Sequence, residues 1–137
     1  MKSIINKKLF LAWWVLRITY GVLFIAVGID KFFCYLTDWY QFIGSATQAI
    51  LSICPTTLLK IFGCIQIIAG ILLFTPWLLK GTYLILTLLT IIFLNLLSVS
   101  WGVVMVHDFF MIIGSIVLIQ LTKTIQKSYL QNKQVGN

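Results

Sequence analysis

The chain has 137 residues, 61% of them hydrophobic and only 9% charged, with a mean hydropathy of +1.05. A soluble domain carries about a quarter charged residues, so a soluble globular fold is set aside in favour of one all-α membrane domain with room for four crossings of about 20 apolar residues each. The net charge of +7 does not point to nucleic acid: Lys2, Lys7 and Lys8 precede the first apolar run and Lys123, Lys127 and Lys133 follow the last, which is the positive-inside pattern of a membrane protein.

The first apolar run predicts a spanning helix over residues 9–33. Lysines followed by an apolar stretch also resemble a secretion signal. Arg17 interrupts the run, however, and no Ala-x-Ala-like site follows it, so an uncleaved helix is the reading adopted. Arg17, Gly21 and Gly28 fall within about 40° of one another on a helical wheel, a stripe that admits a close neighbour and carries a charge. The Arg17 guanidinium, expected roughly 12 Å inside the boundary, either snorkels back to the headgroups or binds an anionic head group or quinone carbonyl from inside the bundle.

Between the first two spans, Trp39, Ile43, Ala46, Ile50 and Ile53 recur at helical spacing, with Asp38, Gln41, Ser45, Gln48 and Ser52 opposite. This predicts an amphipathic interfacial helix over residues 38–53, acting as a lid or spacer on the bundle, or as a gate. The second span is expected over 56–75, opened by Pro55. Its Gly63 and Gly70 repeat the seven-residue spacing of Gly21 and Gly28, which predicts close packing of these two antiparallel helices. The third and fourth spans are expected over 79–99 and 103–122, with the lysine-rich tail after Thr122 frayed. Both termini are expected in the cytoplasm.

All three acidic residues are aspartates placed toward the outer side. Asp30, Lys31, Lys60, Asn95, His107 and Asp108 come to a similar level, and Gln66 lies deeper. Such a cluster either pins helix ends together in interfacial water or forms a solute, quinone or proton site. Asp30, at a helix C-terminus where the macrodipole opposes its charge, calls for a cation from Lys31, Lys60 or His107. A lone histidine and no Cys/His array give no metal site and no bis-histidine haem. Cys34 and Cys54 bracket the interfacial helix and are the candidate disulfide; Cys64 is read as a packing residue. No hydrolase, phosphate-loop or dithiol motif is apparent, so no catalytic residue is assigned.

The pattern Arg17…Gly21…Gly28-Ile-Asp30-Lys31-Phe32, Asp38-Trp39, Lys60-Ile-Phe-Gly63-Cys-Ile-Gln66-Ile-Ile-Ala69-Gly70, Asn95-Leu-Leu and His107-Asp108-Phe109 resembles the DoxX-like family of small integral membrane proteins, over about Leu16 to Leu121. In such proteins a basic residue, commonly Arg, precedes the last Asp; here it is His107. The resemblance implies a four-helix inner-membrane bundle. Some members are associated with quinol oxidase or thiosulfate:quinone oxidoreductase systems, which implies quinone as a ligand and an oxidoreductase as a partner. The expected function is an accessory subunit of a quinone- or thiol-linked membrane redox system without catalysis of its own. The alternatives are a small transporter or proton-conducting protein that uses the outer polar cluster as a homo-oligomer, and a purely structural membrane protein.

Overall fold

A computed structural model describes residues 2–44, 54–99 and 102–135. The described residues form four long helices, α1 (Lys2–Phe33), α2 (Pro55–Phe74), α3 (Leu78–Val99) and α4 (Gly102–Val135), with one 3-10 turn, Trp39–Phe42, between α1 and α2. Each helix contains a stretch long and apolar enough to cross a membrane: Lys7–Phe33, Pro55–Phe74, Leu78–Leu97 and Val104–Ser128. The molecule is an integral membrane four-helix bundle. Its apolar perimeter, with Leu11, Val15, Val22, Ile68, Leu94 and Phe110 exposed, is the surface expected to meet lipid.

The helices close a ring in which α1 packs on α2, α2 on α3, α3 on α4 and α4 on α1, the α1–α2 contact being the most extensive. Glycine explains that contact. A Cβ built on Gly28 would lie 2.9 Å from the Gly63 carbonyl oxygen, and one on Gly63 would lie 2.8 Å from that of Gly28. A Cβ on Gly70 would lie 2.8 Å from the Gly21 carbonyl oxygen. Lipid is as apolar as the helix surfaces, so close backbone approach, rather than hydrophobic burial, holds such a pair together.

Trp13, Tyr20, Phe24, Ala69, Leu73, Ile85, Leu89 and Leu118 form the core. Two side-chain bonds tie α1 to α4 through it. The Tyr20 hydroxyl donates to the Met111 carbonyl at 2.7 Å, and the Trp13 indole donates to Thr122 Oγ1 at 2.9 Å. Buried Thr82, Ser115 and Thr122 return their hydroxyls to carbonyls of their own helices, so they satisfy themselves without a partner helix.

Three elements differ from the sequence expectation. In the described part of the segment expected to be an amphipathic helix over 38–53, residues 38–44, the chain makes a 3-10 turn capped by Asp38, whose carboxylate accepts from the Tyr40 N–H at 3.2 Å. It returns to extended backbone at Ile43; residues 45–53 lie outside the described residues. The 3-10 turn wins because Asn95 of α3 takes both the Phe42 carbonyl and the Gly44 N–H, bonding the chain to the bundle where an α-helix would bond to itself. Helix α1 begins at Lys2 rather than near Leu9. Helix α4 does not fray at Thr122 but runs to Val135. No glycine or proline interrupts 122–135, and Ile125 still packs on the core, so the end of the apolar run is not the end of the helix.

Candidate ligand cavity

At the end of the bundle away from the termini, the four helices splay around a cavity of about 500 Å³. Apolar side chains from all four helices make its walls, among them Phe24, Leu59, Phe62, Leu89 and Met111. Its roof is the 3-10 turn, with Trp39, Phe42 and Ile43 facing the space. Five polar residues of the sequence-predicted cluster line it: Lys31, Gln66, Asn95, His107 and Asp108.

The roof is pinned at two points. Asp30 closes α1: Cys34 turns the chain through a left-handed conformation at φ 51°, with its N–H on the Asp30 carbonyl at 2.6 Å. The turned chain then brings the N–H groups of Tyr35 and Leu36 onto Asp30 Oδ1 at 3.0 and 2.9 Å, and the Trp39 indole N–H onto Oδ2 at 2.6 Å. The charge at this helix end is thus met mainly by three neutral donors. Of the three candidate cations, Lys31, Lys60 and His107, Lys60 is exposed on α2, outside the cavity lining. Lys31 instead lies buried with its ammonium 3.6 Å from the centroid of the Trp39 ring, and Asp108 and Asp30 are the carboxylates in electrostatic range of it. The second pin is Asn95, which donates to the Phe42 carbonyl at 2.5 Å and accepts from the Gly44 N–H at 3.2 Å.

The floor polar groups are different in kind. Gln66 is 4% and Asp108 8% exposed, and Gln66 Oε1 and Asp108 Oδ2 have no hydrogen-bond partner. The other Asp108 oxygen lies 3.2 Å from Nδ1 of His107, whose side chain is 65% exposed. A buried acceptor without a donor costs about 1–3 kcal/mol. Two of them lining one apolar cavity make a site complementary to a molecule that brings hydrogen-bond donors on an apolar frame.

The remaining predicted residues lie elsewhere. The Arg17 Nε donates to the Leu73 carbonyl at 2.5 Å, next to the last residue of α2. Arg17 sits at the opposite end of the bundle from the cavity. Cys34 and Cys54 are free thiols, as is Cys64, so the candidate disulfide is not formed. Cys34 is committed to the turn that ends α1, and Cys54 to the start of α2. Sequence reasoning missed Trp39 and Phe42 as cavity residues. It placed Trp39 on the apolar face of an interfacial helix, although Asp38-Trp39 just after a helix end was a visible signal.

In comparisons with known proteins, the family model DoxX matches residues 12–108. No curated protein and no solved structure matches the chain.

Proposed function

Since that match makes the chain a member of the DoxX family, we propose that it is an intramembrane receptor for a lipophilic hydroquinone-class molecule, serving as an accessory subunit of a quinone- or thiol-linked membrane redox system. The observation that carries the reading is the pair of buried acceptors without donors, Gln66 Oε1 and Asp108 Oδ2, in an apolar cavity of about 500 Å³. A quinol ring carries two hydroxyl donors on an apolar frame, and cavities of about 300–1,000 Å³ suit ligands of that size. When bound, it supplies a two-electron carrier.

The chain's own residues do the holding. Gln66 and Asp108 accept the hydroxyls, and Phe24, Phe62 and Met111 face the ring and its substituents. Lys31 and the Trp39 roof keep bulk water from the polar end. His107, exposed and against Asp108, is the group through which a proton held at Asp108 reaches solvent. Electron transfer falls to a partner oxidoreductase, and this chain performs no redox step alone. The flanking lysines orient both termini to the cytoplasm of a bacterial inner membrane. The proton-conductor reading gains less support, because the bundle beyond Gln66 is filled by Tyr20, Ala69, Leu73, Ile85 and Leu118.

The test titrates a short-chain benzoquinol, and its dimethyl ether that lacks the donors, into the protein in lipid nanodiscs, with quenching of Trp39 as the readout and Trp39→Phe as the control. The quinol is expected to bind about tenfold or more tighter than the ether, the worth of a hydrogen bond to a charged acceptor. Asp108→Asn and Gln66→Leu are expected to shrink that ratio. Equal affinity of quinol and ether for the unaltered protein would sink the reading.

A further inference from the structure

A second cavity, of about 470 Å³, lies at the end of the bundle that carries the termini. It exists because two helices stop there and two do not. Helix α2 ends at Phe74 and α3 begins at Leu78, while α1 and α4 continue past that turn, locked together by the Trp13–Thr122 bond. Trp13, Arg17, Thr75, Thr122 and Gln126 supply its polar lining, between apolar side chains of the same helices.

Arg17 is half-buried here without a carboxylate. The only ion pair among the described residues is His107 with Asp108, at the other end of the bundle. Asp30, on the same helix, is 13 residues on, or about 20 Å at 1.5 Å per residue. One guanidinium nitrogen, Nε, is spent on the Leu73 carbonyl, and the flat cation is held 5.1 and 4.9 Å from the ring centroids of Trp13 and Trp14. The bond to Leu73 and the two rings fix the plane of the fork, and its Nη groups donate to no protein acceptor among the described residues. A fixed, half-desolvated guanidinium level with the end of α2 is matched by a phosphate, whose paired oxygens accept from it bidentately. Around the cavity mouth the chain adds only positive charge, with Lys80, Lys123 and Lys127 on the same end and Lys7 and Lys8 further along α1.

We infer that this cavity binds the phosphate of an anionic phospholipid from the adjoining leaflet, with Arg17 gripping the phosphate diester, Gln126 and Thr75 facing the headgroup, and the acyl chains leaving along the apolar perimeter. The site is separate from the quinol-class cavity and does not depend on it. Inorganic phosphate shares the oxygen chemistry but lacks the chains, so the two sources separate by experiment.

The test is native mass spectrometry of the full chain released from nanodiscs of equimolar phosphatidylglycerol and phosphatidylcholine, with a parallel titration of inorganic phosphate. One phosphatidylglycerol per chain is expected to be retained about tenfold over phosphatidylcholine, with Arg17→Gln abolishing the preference. Because Arg17 also caps α2, Gln126→Leu serves as the variant that leaves the helix contacts intact, and a several-fold loss of retention is expected from it. Arg17→Lys keeps the charge without the fork and is expected to fall between. Equal retention of the two lipids by the unaltered protein, or saturation by millimolar inorganic phosphate with no lipid preference, overturns the inference.

Discussion

The indole N–H of Trp39 donates to Asp30 Oδ2 at 2.6 Å, so the roof of the larger cavity hangs from the last turn of the first helix. Asp30 also accepts the N–H groups of Tyr35 and Leu36, which makes one carboxylate the anchor of the whole reversal. Asp30→Asn presents an NH₂ where an acceptor is needed and leaves one of these donors facing another. Hydrogen exchange of the amides over 35–44 is expected to rise by about tenfold or more, the worth of a hydrogen bond to a charged acceptor, while exchange in the middle of α2 stays unchanged. Unaltered protection over 35–44 would remove Asp30 from that role.

The glycine contacts predict a loss of stability that depends on side-chain size. A Cβ on Gly63 meets the Gly28 carbonyl oxygen at 2.8 Å, and backbone cannot move aside as a flexible side chain can. Gly63→Ala is expected to lower stability by about 1–3 kcal/mol, and Gly28→Leu by more, as overpacking does. Gly102 has open space around its α-hydrogens, so Gly102→Ala is the matched control, expected to leave the melting temperature in mild detergent nearly unchanged. Equal melting of Gly63→Ala and Gly102→Ala would contradict the close approach.

Cys54 is the N-cap position of α2, and the polar backbone of Thr56 beside it pushes the thiol below its ordinary value, without a capping hydrogen bond to the sulfur. A lowered pKa means the thiolate, the reactive form, is populated from a lower pH. Its alkylation by a water-soluble maleimide is therefore expected to rise along a curve displaced to lower pH than that of a free thiol, near 8.5. Cys54 is exposed at a helix start, whereas Cys64 lies within a membrane-spanning stretch, so Cys54 is expected to label first. Intact-mass mapping after brief exposure at pH 7 checks the order, and preferential labelling of Cys64 would reverse it.

The periodicity of apolar residues and the positions of glycine and proline carried most of the fold, because bilayer thickness and backbone approach constrain them locally. The seven-residue glycine spacing on α1 and α2 is legible for that reason. Asp108, Gln66, Asn95, His107 and Lys31 could be grouped by depth alone, since depth follows from residue count along a helix. Their roles could not. Whether Asn95 faces solvent or holds the Phe42 carbonyl depends on where the chain after Asp38 travels, and the helical spacing of Trp39 and Ile43 pointed to an α-helical start that bonding to Asn95 replaces with a 3-10 turn. The partner of Arg17, the Leu73 carbonyl near the end of α2, was likewise hidden, because it depends on how the two helices pair and not on residue count along one of them. Gly114 carried no visible signal, since its partner, Tyr20, is 94 residues away.

That last pair yields the sharpest packing test. Tyr20 reaches α4 with its hydroxyl on the Met111 carbonyl at 2.7 Å, and a Cβ on Gly114 would collide with that hydroxyl. Gly114→Ala must therefore displace the ring or break the bond, at an expected cost of about 1–3 kcal/mol. Tyr20→Phe removes the oxygen and, with it, one hydrogen bond of about 1 kcal/mol. In the double variant the alanine finds the space the oxygen vacated, so its cost should fall well below the sum of the two single costs. Residues in contact commonly couple by about 0.5–3 kcal/mol, and thermal unfolding of the four proteins in one detergent measures the coupling directly. Additive losses would mean that Gly114 and Tyr20 do not meet across the α1–α4 interface.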